Sequence, residues 1–93
     1  MDEDLEPAAE LFKTLSSASR LKLLRILANG SSTVGHLAEE SDLSQPLVSQ
    51  HLRNLRAAGL VSVRRSGREA HYEVADEHVS HIVDDAVRHA LER

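Results

Sequence analysis

Four side chains near the carboxy terminus have the types and the spacing to hold a metal ion. Asp76 and His78 stand two residues apart, and His89 and Glu92 follow as an i, i+3 pair. Positions three apart share a side of a helix, and the eleven-residue step from His78 to His89 returns to within about 20° of the same face. Two imidazoles and two carboxylates complete a tetrahedral set for a borderline-soft divalent cation such as zinc. Distance dictates how that set must assemble. Eleven residues at ~1.5 Å each put the two histidines about 16 Å apart along the axis, whereas zinc reaches its ligands at only ~2.0–2.2 Å. One chain cannot close the site. Two antiparallel copies of the helix can, with Asp76 and His78 of one meeting His89 and Glu92 of the other, and symmetry then gives two equivalent sites per homodimer. The stripe Val79, Val83, Ala86, Val87 and Ala90 runs beside these residues and is expected to supply the dimer contact. Two alternatives stand beside this reading. Asp76 also suits a helix N-cap. His81, with His78 on one side and Asp85 on the other, offers a site within one helix, or an extra ligand for a six-coordinate ion such as nickel. The donors leave the choice among zinc, cobalt and nickel open.

A second constellation suits nucleic acid. Between Leu43 and Arg68 there is no Asp or Glu, while Arg53, Arg56, Arg64, Arg65 and Arg68 give that window a charge of +5 in a chain of net charge −4. Such segregation builds one face for a polyanion. Val48, Leu52 and Leu55 recur at helical spacing, so Gln45, Ser49, Arg53 and Arg56 form a stripe that faces outward, with Gln50 at its border. Gln and Ser can bond base edges, and Arg can bond guanine or phosphate. Single-stranded nucleic acid is disfavoured, because such sites stack bases on aromatic rings and the chain has only Phe12 and Tyr72. His51 falls on the apolar stripe and reads as a packed core residue. His36 and His71 show no partnered spacing and read as surface residues.

The elements that must carry these groups follow from periodicity and punctuation. Ala8, Leu11, Phe12 and Leu15 mark a first helix, and Ser16 or Ser17 caps a second that contains Leu21, Leu24 and Leu27 and stops at Asn29-Gly30. A short third helix turns Val34, Leu37 and Ala38 inward. Ser44 caps a longer fourth helix with Pro46 in its first turn, and Gly59 ends it. Val61 and Val63, then Tyr72 and Val74, alternate with polar residues around Arg65-Ser66-Gly67-Arg68, which predicts a two-stranded hairpin with a basic tip. Arg64, Arg65 and Arg68 are expected at adjacent backbone or minor groove. Asp76 opens the last helix. The expected fold is mainly α with a small β-hairpin: a single winged helix-turn-helix domain over 1–93, dimerising through terminal helices. Its helix-turn-helix covers about 33–58, its wing about 61–74 and its dimer and metal helix about 76–92. Ninety-three residues bury only roughly two-thirds of the unfolded surface, which also points to a partner copy. The chain has no cysteine, so disulfides and thiolate metal sites are excluded. The acidic start Met1-Asp2-Glu3-Asp4 is unlike a secretory signal, and no apolar run approaches a membrane span, so a cytoplasmic protein is expected.

The run Leu43-Ser44-Gln45-Pro46-Leu47-Val48-Ser49-Gln50-His51-Leu52-Arg53-Asn54-Leu55-Arg56-Ala57-Ala58-Gly59-Leu60-Val61 resembles the recognition helix of the ArsR/SmtB repressors. Leu21 to Leu27 and the tip Arg65-Ser66-Gly67-Arg68 resemble that family too, so the likeness covers the chain from about Leu11 onward. The resemblance implies a homodimer that occupies double-stranded operator DNA and leaves it when an inducer binds. Gln45, Ser49 and Gln50 match the family's base-contacting positions. Asp76-x-His78 with His89-x-x-Glu92 resembles the carboxy-terminal-helix site of its zinc sensors, which makes all four residues direct ligands. Thr33 stands where arsenic, cadmium and lead sensors place a cysteine. The function expected is a metal-responsive repressor, with a dimeric regulator that answers another ligand, or none, as the alternative. An enzyme is not expected, because four protein ligands leave no open position for a reacting water.

Overall fold

The structure, a computed structural model, describes residues 3–92. Five helices and one hairpin follow in the order α1 (Glu6–Leu15), α2 (Ala18–Leu27), α3 (Val34–Ser41), α4 (Gln45–Ala57), β1 (Val61–Ser66), β2 (Glu69–Val74) and α5 (Glu77–Leu91). Side-chain oxygens start four of the helices. Ser17, not Ser16, caps α2 by accepting from the Arg20 N–H, Thr33 caps α3 and Ser44 caps α4. Asp76 caps α5, accepting from the N–H groups of His78 and Val79. Each satisfies donors that a helix start leaves orphaned.

The end of α4 is equally specified. Gly59 adopts φ +77° and donates its N–H to the Arg56 carbonyl, while the Leu60 N–H returns to the Leu55 carbonyl. That paired closure is a Schellman motif, and Leu55 and Leu60 make its apolar contact. The hairpin turns on Gly67-Arg68. Positive φ at Gly67 alone, +63°, is the first-position signature of a type II′ turn, whose twist suits two-residue hairpins.

One core holds the domain together. Leu23, Leu24 and Leu27 of α2 meet Leu37 of α3, Val48, Leu52 and Leu55 of α4, Leu60 and Val61 at the wing, and Val79 and Val83 of α5. The wing is tied to the segment before α3 by a two-way backbone bridge between Ser32 and Tyr72, at 2.9 and 2.8 Å. This is a winged helix-turn-helix, with α3 and α4 joined by a turn in which Asp42 adopts left-handed backbone at φ 62°. No helix among the described residues is long and apolar enough to cross a membrane.

The core corrects one expectation. Val79 and Val83 are 6% and 2% exposed within a single chain, so they belong to the chain's own core and not to a contact between copies. Ala86 and Ala90 on α5 are exposed, and Val87 is half-buried. Helix α1 behaves in the opposite way. Leu15 is buried and Leu11 partly so, but Phe12 is 59% exposed and Leu5 71%.

Candidate nucleic-acid interface and metal-ligand residues

The recognition face is built by burying its back. Val48, Leu52 and Leu55 anchor α4 to the core, which leaves Gln45, Gln50, Arg53 and Arg56 exposed and Ser49 half-buried at the edge of the stripe. Approach of α3 to α4 is close where Gly35 sits: a Cβ there would stand 3.8 Å from the Gln45 side-chain nitrogen. Leu47, 38% exposed on the same helix, was not singled out by sequence. Its signal was an apolar residue off the buried stripe, of the kind that can meet a thymine methyl group.

In the wing, folding changes the charge picture. The acid-free window ends at Arg68, but strand pairing sets β2 against it: Ser62 faces Glu73, Arg64 faces His71, and Ser66 faces Glu69. Side chains alternate across a strand, so Arg64 shares its face with His71, Glu69 and Glu73. Arg65 pairs with Ala70 and Arg68 lies in the turn. His71 Nε2 lies 3.5 Å from Glu69 Oε1, and His36 Nε2 lies 3.6 Å from Glu40 Oε1 one turn along α3. Both histidines therefore have an acidic neighbour, His36 through an i, i+4 spacing that the sequence itself carries.

His51 also departs from expectation. It is only partly buried and accepts a hydrogen bond at Nδ1 from Arg20 Nε, 3.2 Å away. Burial first, and the guanidinium second, hold its pKa below the ordinary 6.5, since both disfavour the cation.

The four proposed ligands lie at the two ends of one unbroken helix. At its start, Asp76 Oδ1 accepts from the His78 and Val79 N–H groups at 2.9 and 3.3 Å. The same oxygen lies 3.3 Å from His78 Nδ1, with the two side chains 57% and 85% exposed. Asp76 thus serves as N-cap and stands beside the imidazole at once; its Oδ2 and the His78 Nε2 carry no bond among the described residues. At the far end His89 is exposed in the last turn and Glu92 is the C-cap residue. Within one chain, no three His, Asp or Glu side chains among the described residues converge on a point that could hold an ion. The donor chemistry fits a divalent cation; the assembly requires a second copy.

A recognition helix held outward by a helix-turn-helix, beside a basic β-hairpin, defines a winged helix-turn-helix regulator. Residues 17–63 match the family model for bacterial regulatory proteins of the arsR family, and the chain belongs to that family. It is 46% identical over 90 residues to the HTH-type transcriptional repressor SmtB of Mycobacterium tuberculosis, spanning 97% of this chain and 67% of the relative. A probable mercury resistance operon repressor of Streptomyces lividans is 38% identical, over 84% of this chain and 62% of its own. Among solved structures, the homodimeric winged helix-turn-helix DNA-binding domain of a possible ArsR-family regulator from Mycobacterium bovis superposes with a TM-score of 0.87. Its identity is 28%, and the match covers 100% of this chain and 93% of that one. The protein is a transcriptional regulator of the ArsR/SmtB family, and neither its relatives nor its fold are those of an enzyme.

Proposed function

We propose that two copies of this chain form a repressor that binds operator DNA and is released by zinc. The observation that carries the metal reading is the juxtaposition of Asp76 and His78 at the exposed start of α5, 3.3 Å apart, with His89 and Glu92 at the other end of the same helix. Antiparallel α5 helices in a dimer would bring the two half-sets together. A metal-linked name among the relatives gives precedent for metal response, and the lack of cysteine turns this chain away from thiophilic metals and toward an oxygen and nitrogen site. Because Val79 and Val83 are used internally, the contact between copies falls to the outer faces of α1 and α5: Leu5, Phe12, Ala86, Ala90 and Leu91. The homodimeric M. bovis neighbour supports a dimer as such. The place of action is the cytoplasm, with the DNA.

On the operator, Gln45, Ser49 and Gln50 read base edges in the major groove, Arg53 and Arg56 hold guanine or phosphate, and the wing arginines contact the flanking backbone. Those arginines differ in surroundings. Replacing Arg65 or Arg68 by alanine is expected to lower the slope of log affinity against log salt by about one for each phosphate left without its cation. Arg64→Ala, with Glu69 and Glu73 on its face, is expected to lower it less. Anisotropy titrations over a salt series measure the three slopes. Equal slopes would show that strand pairing does not grade the wing.

Zinc can release DNA only by binding the free dimer more tightly than the bound one, and DNA must weaken zinc binding by the same factor. Operator affinity is measured by fluorescence anisotropy in chelator and then with one zinc per subunit, at fixed salt. We expect at least tenfold weaker binding with zinc, a coupling of ~1.4 kcal/mol, and a His89→Ala variant that binds DNA normally but ignores zinc. Release of that variant by stoichiometric zinc would remove His89 from the site.

A further inference from the structure

Outside these sites, a polar link joins α1 to the recognition helix. Arg20, on α2, donates from Nε to His51 Nδ1 of α4 and from Nη1 to the Thr14 carbonyl of α1, each at 3.2 Å and partly buried. Its own backbone N–H is held by the Ser17 cap, so the guanidinium starts from a fixed root. Among the described residues it forms no ion pair with a carboxylate, and its partners are a neutral ring nitrogen and a carbonyl. We propose that Arg20 is a positioning residue for operator binding, a strut that sets the recognition helix against α1 and that holds only while His51 Nδ1 is free to accept. This role rests on the proposed function, in which α4 enters the major groove and α1 contributes to the contact between copies.

The chemistry makes the strut sensitive to protons. An Nδ1 that accepts from a guanidinium must carry no proton, so the ring is the neutral Nε2–H tautomer. Adding the second proton removes the acceptor and sets two cations side by side. His51 already holds its proton less tightly than a free histidine. At pH 7.5 the strut is intact. As pH falls below the free-histidine value of about 6.5, a state that needs the strut binds fewer protons than one that has released it, and it loses ground progressively. The other charged groups on the elements around His51 are engaged elsewhere or exposed: on α2, Lys22 donates to the Ser41 carbonyl and Arg25 lies 3.8 Å from Asp84. From α1, Glu10 lines the α1–α4 groove with Asn54, Ala57 and Ala58, and Lys13 is exposed. On α4 itself Arg53 and Arg56 are exposed, α3 contributes Leu37 to the core while His36, Glu39 and Glu40 stay outside, and the β1 charges Arg64 and Arg65 lie in the wing.

The test compares the wild type with His51→Asn, whose Oδ1 replaces Nδ1 as acceptor but does not titrate, and with His51→Leu, which has no acceptor. The probe is a fluorescein-labelled duplex selected by the wild type from a random-sequence library, titrated in chelator between pH 7.5 and pH 5. We expect His51→Asn to match the wild type at pH 7.5 and to bind roughly tenfold more tightly than it at pH 5, the scale of a hydrogen bond to a charged group. His51→Leu is expected to bind roughly tenfold more weakly at pH 7.5. The five other histidines are common to wild type and variants, so the ratio of affinities isolates this one. A constant ratio from pH 7.5 to pH 5 overturns the strut, even if His51→Leu melts at a lower temperature, because a merely structural contact lowers stability without changing the pH profile of binding. Failure of the wild type to select any duplex overturns the DNA-binding reading itself and the strut with it.

Discussion

Replacing Leu52 by alanine is expected to destabilise the fold by about 3–4 kcal/mol, the range for truncating a leucine that cannot be replaced by collapse of its surroundings. Leu52 is 1% exposed, and Val48 and Leu55 at 0% flank it on the same face of α4. The loss is large against a total of roughly 5–10 kcal/mol for a domain of this size. It falls on the element that presents Gln50 and Arg53. Urea unfolding followed by circular dichroism, in chelator and at one protein concentration, should show a lower midpoint with the slope unchanged. Concentration must be fixed because a dimer adds its association free energy to apparent stability. A loss below about 1 kcal/mol would mean that α4 does not lean on this core, and the outward direction of its polar face would then lack its physical cause.

That core was readable in the sequence because a period of 3.6 identifies a buried face without further information. Val48, Leu52 and Leu55 announce it, and Ser44, Pro46 and Gly59 bound it with residues that suit caps and left-handed turns. The hairpin was equally open, since Val61 and Val63 alternate before a Gly67 whose conformation the turn requires. Periodicity does not say what covers a face. Val79, Val83, Ala86, Val87 and Ala90 form one apolar stripe in the sequence, but the fold divides it, taking the two valines into its own core and leaving the alanines outside. Phe12 shows the converse, an apolar residue at helical spacing that one chain leaves 59% exposed.

Charge reads less well along the chain than in space. The acid-free window is real as sequence, but β2 returns Glu69 and Glu73 to the face of Arg64, because antiparallel pairing joins residues that a linear window separates. Distant partners were hidden for the same reason. His51 sits on the apolar side of α4, and nothing local in the sequence shows that Arg20, on another helix, would reach its Nδ1. The proposed ligands were legible as types and spacings because they lie on one helix; the sequence left Asp76 as ligand or N-cap, and the N-terminal turn of α5 shows that it caps while standing beside the His78 imidazole.

That double engagement gives the other large prediction. Asp76→Ala removes the acceptor for two N–H groups and is expected to cost about 1 kcal/mol of stability, whatever Asp76 does with metal. Asp76→Ser keeps an oxygen that can cap and gives up only the favourable charge at the helix start, a few tenths of a kcal/mol, but it removes the carboxylate donor. Zinc affinity of Asp76→Ser is expected to fall at least about 100-fold, since even the outer partners of metal ligands are worth ~10–100-fold and this residue is proposed to touch the ion. Chelator competition against a chromophoric zinc indicator measures that affinity, and thermal melting of the same sample measures the cap. The combination decides between the two roles. Near-normal melting with lost zinc binding makes Asp76 a ligand that also caps. Normal melting with unchanged zinc binding makes it a cap alone, and His78 must then find its companion donors on the partner copy, because no three His, Asp or Glu side chains among the described residues of one chain converge.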